Sequence, residues 1–339
     1  MPGRAFEHAP KLTSPGRAGR RWVILCSSRF ISCPNFKNAL NSQGFPRWIK
    51  IRKGYGLVFA AAVLWGTTGT AQALAPQGAQ PQVVGAARLA IGGLILMSIA
   101  VSRGALRSNR KWPFAVTATA AMSMAFYQLF FFSAVSRTGV AVGTIIAIGS
   151  APILAGVLGY LLRGERPGRR WALATLLAVA GCGLLLLPGQ RVTIDLVGII
   201  LALGAGLSYA AYTVLSKRLL ETHHPDAVIA VVFCLAALIL SPVWFRTRLE
   251  WLLQPRGLLV VLHLGVIATA AAYALFARGL ALTPVAAAVT ISLAEPLTAG
   301  MLGLTLLGEQ LSLLMALGMG CILSGLLLVS LGGRGEQGA

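Results

Sequence analysis

The stretch "PILAGVLGYLLRGE" at residues 152–165 returns in the second half of the chain as "PLTAGMLGLTLLGE" at residues 296–309. Eight of the fourteen positions are identical without a gap, including the proline, the Ala-Gly pair and the closing Gly-Glu pair. Upstream of the two copies, "SRTGVAVGTII" echoes "ALTPVAAAVTI". Two such similar segments, so far apart, indicate a chain built from two copies of one unit.

The composition indicates what surrounds this chain. Of its 339 residues, 56% are hydrophobic and only 11% are charged, whereas soluble domains carry about 25% charged residues. A helix that crosses the hydrocarbon core of a membrane needs about 20 mostly apolar residues. Ten apolar runs approach that length, at residues 55–75, 83–101, 113–134, 140–161, 171–187, 196–215, 227–245, 258–277, 285–307 and 311–332. We therefore predict an all-α polytopic membrane protein with ten transmembrane helices.

The basic residues between the apolar runs predict the orientation. With the N-terminus in the cytoplasm, fifteen Lys and Arg lie in inner segments and five lie in outer loops, which agrees with the positive-inside rule. We expect a multi-pass protein of the inner membrane with both termini cytoplasmic. Because each unit holds five helices, an odd number, the two units would have inverted topology, an architecture found in many secondary transporters.

The predicted organisation has four parts: a basic extension at residues 1–53, five-helix repeats at 54–188 and 195–332, and a short cytoplasmic tail at 333–339. The extension holds 11 Lys or Arg and one acid, Glu7. Three interpretations of it stay open. It is a disordered cytoplasmic tail that touches anionic lipid, an organelle transit segment, or a stretch that precedes the true start of translation.

The reactive residue types do not converge on a catalytic centre. The four His are scattered, and the five Cys show neither metal-ligand nor redox spacing. No phosphate-binding loop or nucleophile-base pattern emerges. We predict that the chain is not an enzyme and holds no cofactor or metal. The partners expected are a small-molecule substrate and the lipid bilayer, with a proton as the candidate coupling ion and no nucleic acid; the oligomeric state stays open.

Two charges lie well inside the apolar runs, Arg88 and Glu295. A charge at the bilayer centre costs at least about 2.5–3.5 kcal/mol, so such residues are functional candidates. Arg88 lies about five residues from the outer end of its run, and its long stem could instead reach the headgroups. Glu295 is too deep for that. It either faces an aqueous cavity, where it senses protons or a cationic group of a substrate, or is hydrogen-bonded between helices.

Prolines and small residues mark the two similar runs. Pro152 and Pro296 predict helix kinks, because proline removes a backbone donor and crowds the preceding turn. Small residues four apart allow helices to approach closely, which predicts close packing at Ala155, Gly159, Ala299 and Gly303. Glu165 and Glu309 each end the repeated stretch just before the next helix, where an acid suits the positive helix end.

Polar and aromatic residues recur at helical spacing in several other runs. Two interpretations stay open, the lining of a cavity and hydrogen bonding between helices. Together with Glu295 and Arg88, the expected pathway residues are Trp65, Thr68, Gln72, Tyr127, Gln128, Tyr209, Tyr212 and Tyr273. Such amphipathic groups suit a small polar or amphiphilic solute.

The sequence resembles the EamA-like branch of the drug/metabolite transporter superfamily. The resemblance is carried by "LWG" at residues 64–66, by "GAARLAIGGL" at residues 85–94 and by the paired Pro…Gly-Glu runs. It covers residue 55 to about residue 332 and implies a central cavity walled by both halves, with alternating access. The function implied is a secondary transporter, an exporter of a small organic metabolite. The alternatives are a membrane sensor or scaffold without transport, an uptake permease, and a membrane enzyme acting on lipid.

Overall fold

The computed structural model describes residues 47–107, 110–186, 195–246, 249–306 and 310–332, and these residues contain helices and no strand. The helices are α1 (Arg47–Ala73), α2 (Pro81–Ser102), α3 (Phe114–Thr138), α4 (Val140–Arg163), α5 (Arg169–Leu186), α6 (Leu196–Leu220), α7 (Pro225–Ile239), α8 (Pro255–Gly265), α9 (Ala272–Leu282), α10 (Val285–Ile291), α11 (Ala294–Leu306) and α12 (Leu313–Gly332). A π-helical segment, Val266–Ala271, joins α8 to α9. Residues 1–46 of the expected extension, the tail at 333–339 and Glu309 lie outside the described residues.

These helices correspond to the ten predicted apolar runs, here called spans one to ten. Helices α1 to α7 are the first seven spans. The π-helical segment makes α8 and α9 one continuous span eight, α10 and α11 together form span nine, and α12 is span ten. Helix α1 begins at Arg47, within the last residues of the predicted extension.

The ends of span seven also differ from the prediction. Helix α7 has only 15 residues, which corresponds to about 23 Å against a hydrocarbon core of about 30 Å. A 3-10 turn, Ser241–Arg246, replaces its predicted last residues, and Pro242 there lacks the N–H that an α-helix would need. Within the described residues, eight helical stretches are long and apolar enough to cross a membrane, and spans one and seven are not among them.

The packing of the spans links the first five with the last five. Span three packs on span six, as span eight packs on span one; span four packs on span six, as span nine packs on span one. Span two packs on span seven, and span five on span ten. If every span is replaced by its counterpart five places along the chain, each of these pairings becomes another of them or stays the same pairing. The two sets of five therefore share one interior.

Glycines permit the equivalent crossings in both sets. A Cβ atom at Gly66 would lie 2.5 Å from Cβ of Thr298 and 2.9 Å from the main-chain oxygen of Glu295, so only glycine lets span one approach span nine. A Cβ atom at Gly206 would lie 2.8 Å from the main-chain oxygen of Ala147, where span six meets span four.

The predicted small residues of the repeated stretch contribute unequally to packing. Ala155 is fully buried, but a Cβ atom at Gly159 would make only an ordinary contact, 3.6 Å from the Glu165 carboxylate. The tight contact of α4 is made one turn earlier by Gly156, where a Cβ atom would lie 2.5 Å from the Trp171 ring. In span nine, Gly303 is buried and Ala299 is half-buried.

A charge cluster joins the two sets at one end, the end that the Lys/Arg bias assigns to the cytoplasm. It consists of Arg103, Arg163, Glu221, Asp226 and Arg278. Arg103 Nη1 lies 3.0 Å from Asp226 Oδ2, and Arg278 Nη2 donates to Asp226 Oδ1. Arg163 Nη2 lies 2.8 Å from Glu221 Oε1. The side chain of Asp226 is 3% exposed, so this carboxylate is neutralised by two guanidinium groups where burial of a lone charge would be costly.

Glu165 adds a link from the first set to the second at the same end. Its Oε2 accepts a hydrogen bond of 2.9 Å from the main-chain N–H of Val285, the first residue of α10, while Oε1 lies 2.9 Å from Arg163 Nε. The sequence predicted that this acid serves the helix that follows it. It instead occupies the start of span nine, because the last turn of α4 ends in the left-handed residue Gly164 and directs the chain there.

At the opposite end, Asp195 caps α6 by accepting a hydrogen bond of 2.8 Å from the main-chain N–H of Gly198. This bond, together with the Arg137 guanidinium 3.5 Å away, holds the pKa of the Asp195 carboxyl below its ordinary value. Arg137 belongs to the first set and Asp195 to the second. Since the Arg137 side chain is exposed and that of Asp195 is partly exposed, this pair contributes little to holding the sets together.

Candidate functional site

A cavity lies where spans of both sets meet. Its volume is about 40 Å³, enough for a few water molecules, since one water needs about 10–15 Å³ on this measure. Spans one, two, three and four contribute from the first set, and spans six, eight and nine from the second. Seven of the predicted pathway residues line it: Trp65, Thr68, Arg88, Tyr127, Tyr209, Tyr273 and Glu295.

Four aromatic rings form much of the wall. The ring centroids of Trp65 and Tyr273 are 4.7 Å apart, and those of Trp65 and Tyr209 are 6.5 Å apart with an edge-to-face arrangement. Tyr127 lies 5.5 Å from Tyr209. The hydroxyl of Tyr209 lies 3.4 Å from Oγ of Ser292, and either atom can donate. The rings come from spans one, three, six and eight, so the wall is assembled across both sets.

Arg88 points into the protein. It is 7% exposed, its Nη2 donates to Oε1 of Gln128 at 3.4 Å, and it lines the cavity. The alternative that its stem carries the charge out to the headgroups is therefore wrong. Span two turns this face towards spans three and eight, so the guanidinium leaves the helix towards the interior.

Glu295 stands at a break in span nine. Helix α10 ends at Ile291 and α11 begins at Ala294. Pro296 has no N–H to offer the carbonyl of Ser292, and that carbonyl instead accepts from the Glu295 N–H at 3.0 Å. The carboxylate of Glu295 lines the cavity. Within the described part of the chain it has no hydrogen-bond partner and forms no ion pair, with Arg88 or any other residue.

The two predicted kink prolines behave differently. Span nine is interrupted just before Pro296, whereas α4 continues through Pro152 without interruption. A proline within a helix removes one hydrogen bond, and the neighbouring packing decides whether the helix then breaks. In this conformation the break belongs to the second set alone.

The remaining predicted pathway residues do not line the cavity. Gln128 lies behind Arg88, and Tyr212 is 1% exposed, packed between Phe233 and Tyr273. Gln72 is half-buried near the end of α1. The lining residues that sequence reasoning missed are Ala147, Ile148, Ala151, Val289 and Ser292. Ser292 could have been identified, because it lies one turn before a charged residue. The other four are ordinary residues of a transmembrane helix, and nothing in the sequence indicates that they line a cavity.

Several buried polar atoms around the cavity have no hydrogen-bond partner in the described residues. They are Trp65 Nε1, Thr68 Oγ1, Arg88 Nε and Gln128 Nε2. Native proteins pair nearly all such atoms with protein or with water. Their concentration around one cavity, where Glu295 also lacks a partner, indicates a site that binds polar groups from outside the protein.

Comparison with known proteins gives related sequences over most of the chain. Residues 52–187 and 196–331 each match the EamA-like transporter family. The chain is 49% identical over 283 residues to the uncharacterized transporter YwfM of Bacillus subtilis, covering 83% of this chain and 95% of YwfM. It is 30% identical over 291 residues to the threonine/homoserine exporter RhtA of Escherichia coli, covering 82% of this chain and 90% of RhtA. A protein of known crystal structure has the same fold, with a TM-score of 0.73 at 21% identity over 83% of this chain and 97% of that one.

Proposed function

The chain belongs to the EamA-like transporter family, and from this premise we propose that it is a secondary transporter that exports a small organic metabolite across the inner membrane by alternating access. One observation carries the proposal. Seven spans from both sets enclose a cavity in which a buried guanidinium and a carboxylate, Arg88 and Glu295, face inward without pairing with each other. Charges so placed are costly in a membrane unless a ligand or water uses them.

The proposed architecture is ten transmembrane helices in two inverted five-helix repeats, at residues 54–188 and 195–332, with both termini in the cytoplasm. Two matches to one family, one in each half, support the duplication. The packing pattern supports it as well, because it is unchanged when each span is exchanged for its counterpart. The odd number of spans in each repeat then places the repeats in opposite orientations.

The direction of transport and the size of the substrate are proposed from relatives. RhtA is named for the export of threonine and homoserine, which are small polar molecules. A cavity of about 40 Å³ is far below the roughly 300–1,000 Å³ of typical ligand pockets, so entry of even a small substrate requires the surrounding spans to separate. The charge cluster links the two sets by ion pairs at one end, and opening there would require these pairs to part.

Coupling to protons is proposed at Glu295. A proton and a cationic group of the substrate would compete for the same carboxylate oxygens, so occupancy and protonation are linked. The apparent KM then rises as the pH falls. In this scheme the break before Pro296 matters because it places the carboxylate at the junction of two helix segments that can move separately.

Efflux from proteoliposomes tests the proposal. Vesicles holding the purified protein and radiolabelled L-homoserine or L-threonine should lose label faster than empty vesicles, with a KM that depends on pH. Glu295→Gln should reduce efflux at least about tenfold, since a hydrogen bond to a charged group contributes roughly 1.5–3 kcal/mol, and should flatten the pH dependence. The exposed Arg170→Gln serves as the control.

Each alternative gives a different result. A sensor or scaffold would bind label without moving it. An uptake permease would accumulate label only under an inward gradient. Efflux by Glu295→Gln with the pH dependence of the unaltered protein would assign the carboxylate to helix packing and leave the proton scheme without a basis.

A further inference from the structure

The unpartnered hydrogen-bond donors and acceptors around the cavity come from different spans. On the side of spans one to three, the unpartnered atoms are mostly donors: the indole N–H of Trp65, the Nε–H of Arg88 and the amide of Gln128. On the side of span nine, Glu295 offers only acceptor oxygens when it is ionised. Trp65 and Arg88, which carry donors without acceptors, and Glu295, an acceptor without donors, thus line the same cavity, and Gln128 lies behind Arg88.

The donor side suits a carboxylate. Guanidinium binds planar oxyanions through two parallel N–H donors, and Arg88 keeps its Nε–H free while Nη2 is engaged by Gln128. Trp65, whose indole N–H also lacks a partner, lines the same cavity. A neutral acceptor would leave the positive charge of Arg88 uncompensated in a buried position, where pairing is needed.

The acceptor side suits an ammonium group. Glu295 forms no ion pair within the described residues, and the rings of Trp65, Tyr209 and Tyr273 stand in the same wall. Aromatic faces favour cations over anions. The rings therefore add to the attraction for a positive group near the carboxylate and oppose a second anion.

We propose that the cavity binds a small zwitterion, its carboxylate at a subsite formed by Arg88 and Trp65 and its ammonium group at Glu295. This rests on the proposed function, in which the cavity is the substrate site, and it adds the chemical class and the direction of binding. A ligand with one charge of each sign compensates both residues at once. Amines, carboxylic acids and sugars each leave at least one of the two charges without a partner.

Gln128 is a positioning residue for the carboxylate subsite. Its Oε1 accepts from Arg88 Nη2, and the residue itself does not line the cavity. The bond fixes the guanidinium so that its Nε edge stays free. Replacing Gln128 with Met keeps the volume and removes the acceptor, so the effect should fall on recognition of the carboxylate and leave recognition of the ammonium group unchanged.

Binding to the purified full-length protein in detergent, measured by thermal stabilisation, tests the assignment without requiring transport. The probes are L-homoserine, its methyl ester, which keeps only the ammonium group, and N-acetyl-L-homoserine, which keeps only the carboxylate. L-Homoserine should stabilise the protein, and both derivatives should bind at least about tenfold more weakly, as expected for loss of a charge-assisted hydrogen bond.

Variants then assign each subsite by a ratio. Arg88→Gln and, to a smaller extent, Arg88→Lys, which keeps the charge but loses the planar fork, should bring the affinities for homoserine and its methyl ester closer together while keeping the preference over the N-acetyl derivative. Glu295→Gln should do the reverse. Gln128→Met should act in the same direction as the Arg88 variants, only more weakly. A residue needed merely for packing would weaken all probes equally and leave both ratios unchanged, as the Arg170→Gln control should.

The outcomes separate this proposal from the proposed function. Unchanged ratios in the Arg88 and Glu295 variants, equal binding of all three probes, or no stabilisation by any of them would overturn the zwitterion site. Ratios that shift as expected in a protein without efflux would keep the site and remove the transport function. Efflux of an ester or an amine by a protein that binds no zwitterion would keep transport and remove the site.

Discussion

At position 66 a single methyl group decides whether span one can reach span nine. The Cβ atom of any other residue would lie 2.5 Å from Cβ of Thr298 and 2.9 Å from the Glu295 carbonyl oxygen, so these helices would have to separate at the height of the cavity. Gly69, one turn away on the same helix, has nothing within 4 Å of its Cβ position. Gly66 is therefore needed for the contact between spans one and nine, and Gly69 is not.

We predict that Gly66→Ala destabilises the protein by about 1–3 kcal/mol, the range for overpacking, and reduces efflux. Gly69→Ala should be neutral or stabilising, because Ala is favoured over Gly in a helix by about 0.8–1.0 kcal/mol. Melting of the two purified variants, together with efflux per unit of protein, checks this. Equal melting temperatures for both variants would mean that the helices adjust to the extra methyl group.

The sequence identifies the charged site residues but not the whole site. Arg88 and Glu295 are conspicuous because placing a charge in a transmembrane helix costs free energy, and both line the cavity. The position of Arg88 along its span left the headgroups within reach, and only the rotation of the helix determines that the side chain points inward. Ala147 and Val289 line the cavity through packing alone, and nothing in their residue type distinguishes them from neighbours that face lipid.

Among the helical elements, the break in span nine follows most directly from a local rule, the missing N–H of proline. Pro296 withdraws one donor, the carbonyl of Ser292 turns to the N–H of Glu295, and two helices replace one. In α4 the same rule predicts a kink at Pro152, and no break accompanies that proline, since the helix runs from Val140 to Arg163. The π-helical segment Val266–Ala271 of span eight contains neither proline nor glycine and could not be predicted, because it depends on how neighbouring spans pack.

We predict that Pro296→Ala reduces efflux several-fold while membrane abundance is kept, and that Pro152→Ala has a smaller effect. Alanine at 296 restores a donor to the Ser292 carbonyl, which favours one continuous helix and repositions the carboxylate next to it. Efflux normalised to the amount of protein in the vesicles is the measurement. Equal losses in both variants would assign matching hinge roles to the two prolines, and efflux unchanged in the double variant would make both of them packing residues.

For the whole molecule, the duplication visible in residues 152–165 and 296–309 has its counterpart in the packing, where spans pair across the two sets. The sequence predicts two sets of five because the periodic apolar runs and the repeated stretch are local signals. Which spans touch is a property of the folded chain. The end of span seven could not be predicted from its apolar run. The helix has only 15 residues, and the apolar run continues past the point where Pro242 ends the helix.

We predict that reporter fusions after residues 78, 108, 190 and 334 read outside, inside, outside and inside. This pattern follows from ten crossings with the basic loops in the cytoplasm. A reporter active only outside the cytoplasm and one active only inside it should give opposite signals at every position. A cytoplasmic signal at 190 would contradict the inverted arrangement, because the first repeat would then cross an even number of times.

The link between Glu165 and Val285 has a consequence for how related sequences diverge. The acceptor is a side chain, but the donor is a main-chain N–H, which every amino acid except proline supplies. The bond therefore sets no requirement on the side chain at position 285, where the fully buried valine is constrained by packing instead, while position 165 must remain acidic or amidic. The two positions would show no correlated substitution, so the contact would escape detection by covariation, and its only signature at position 285 would be the exclusion of proline.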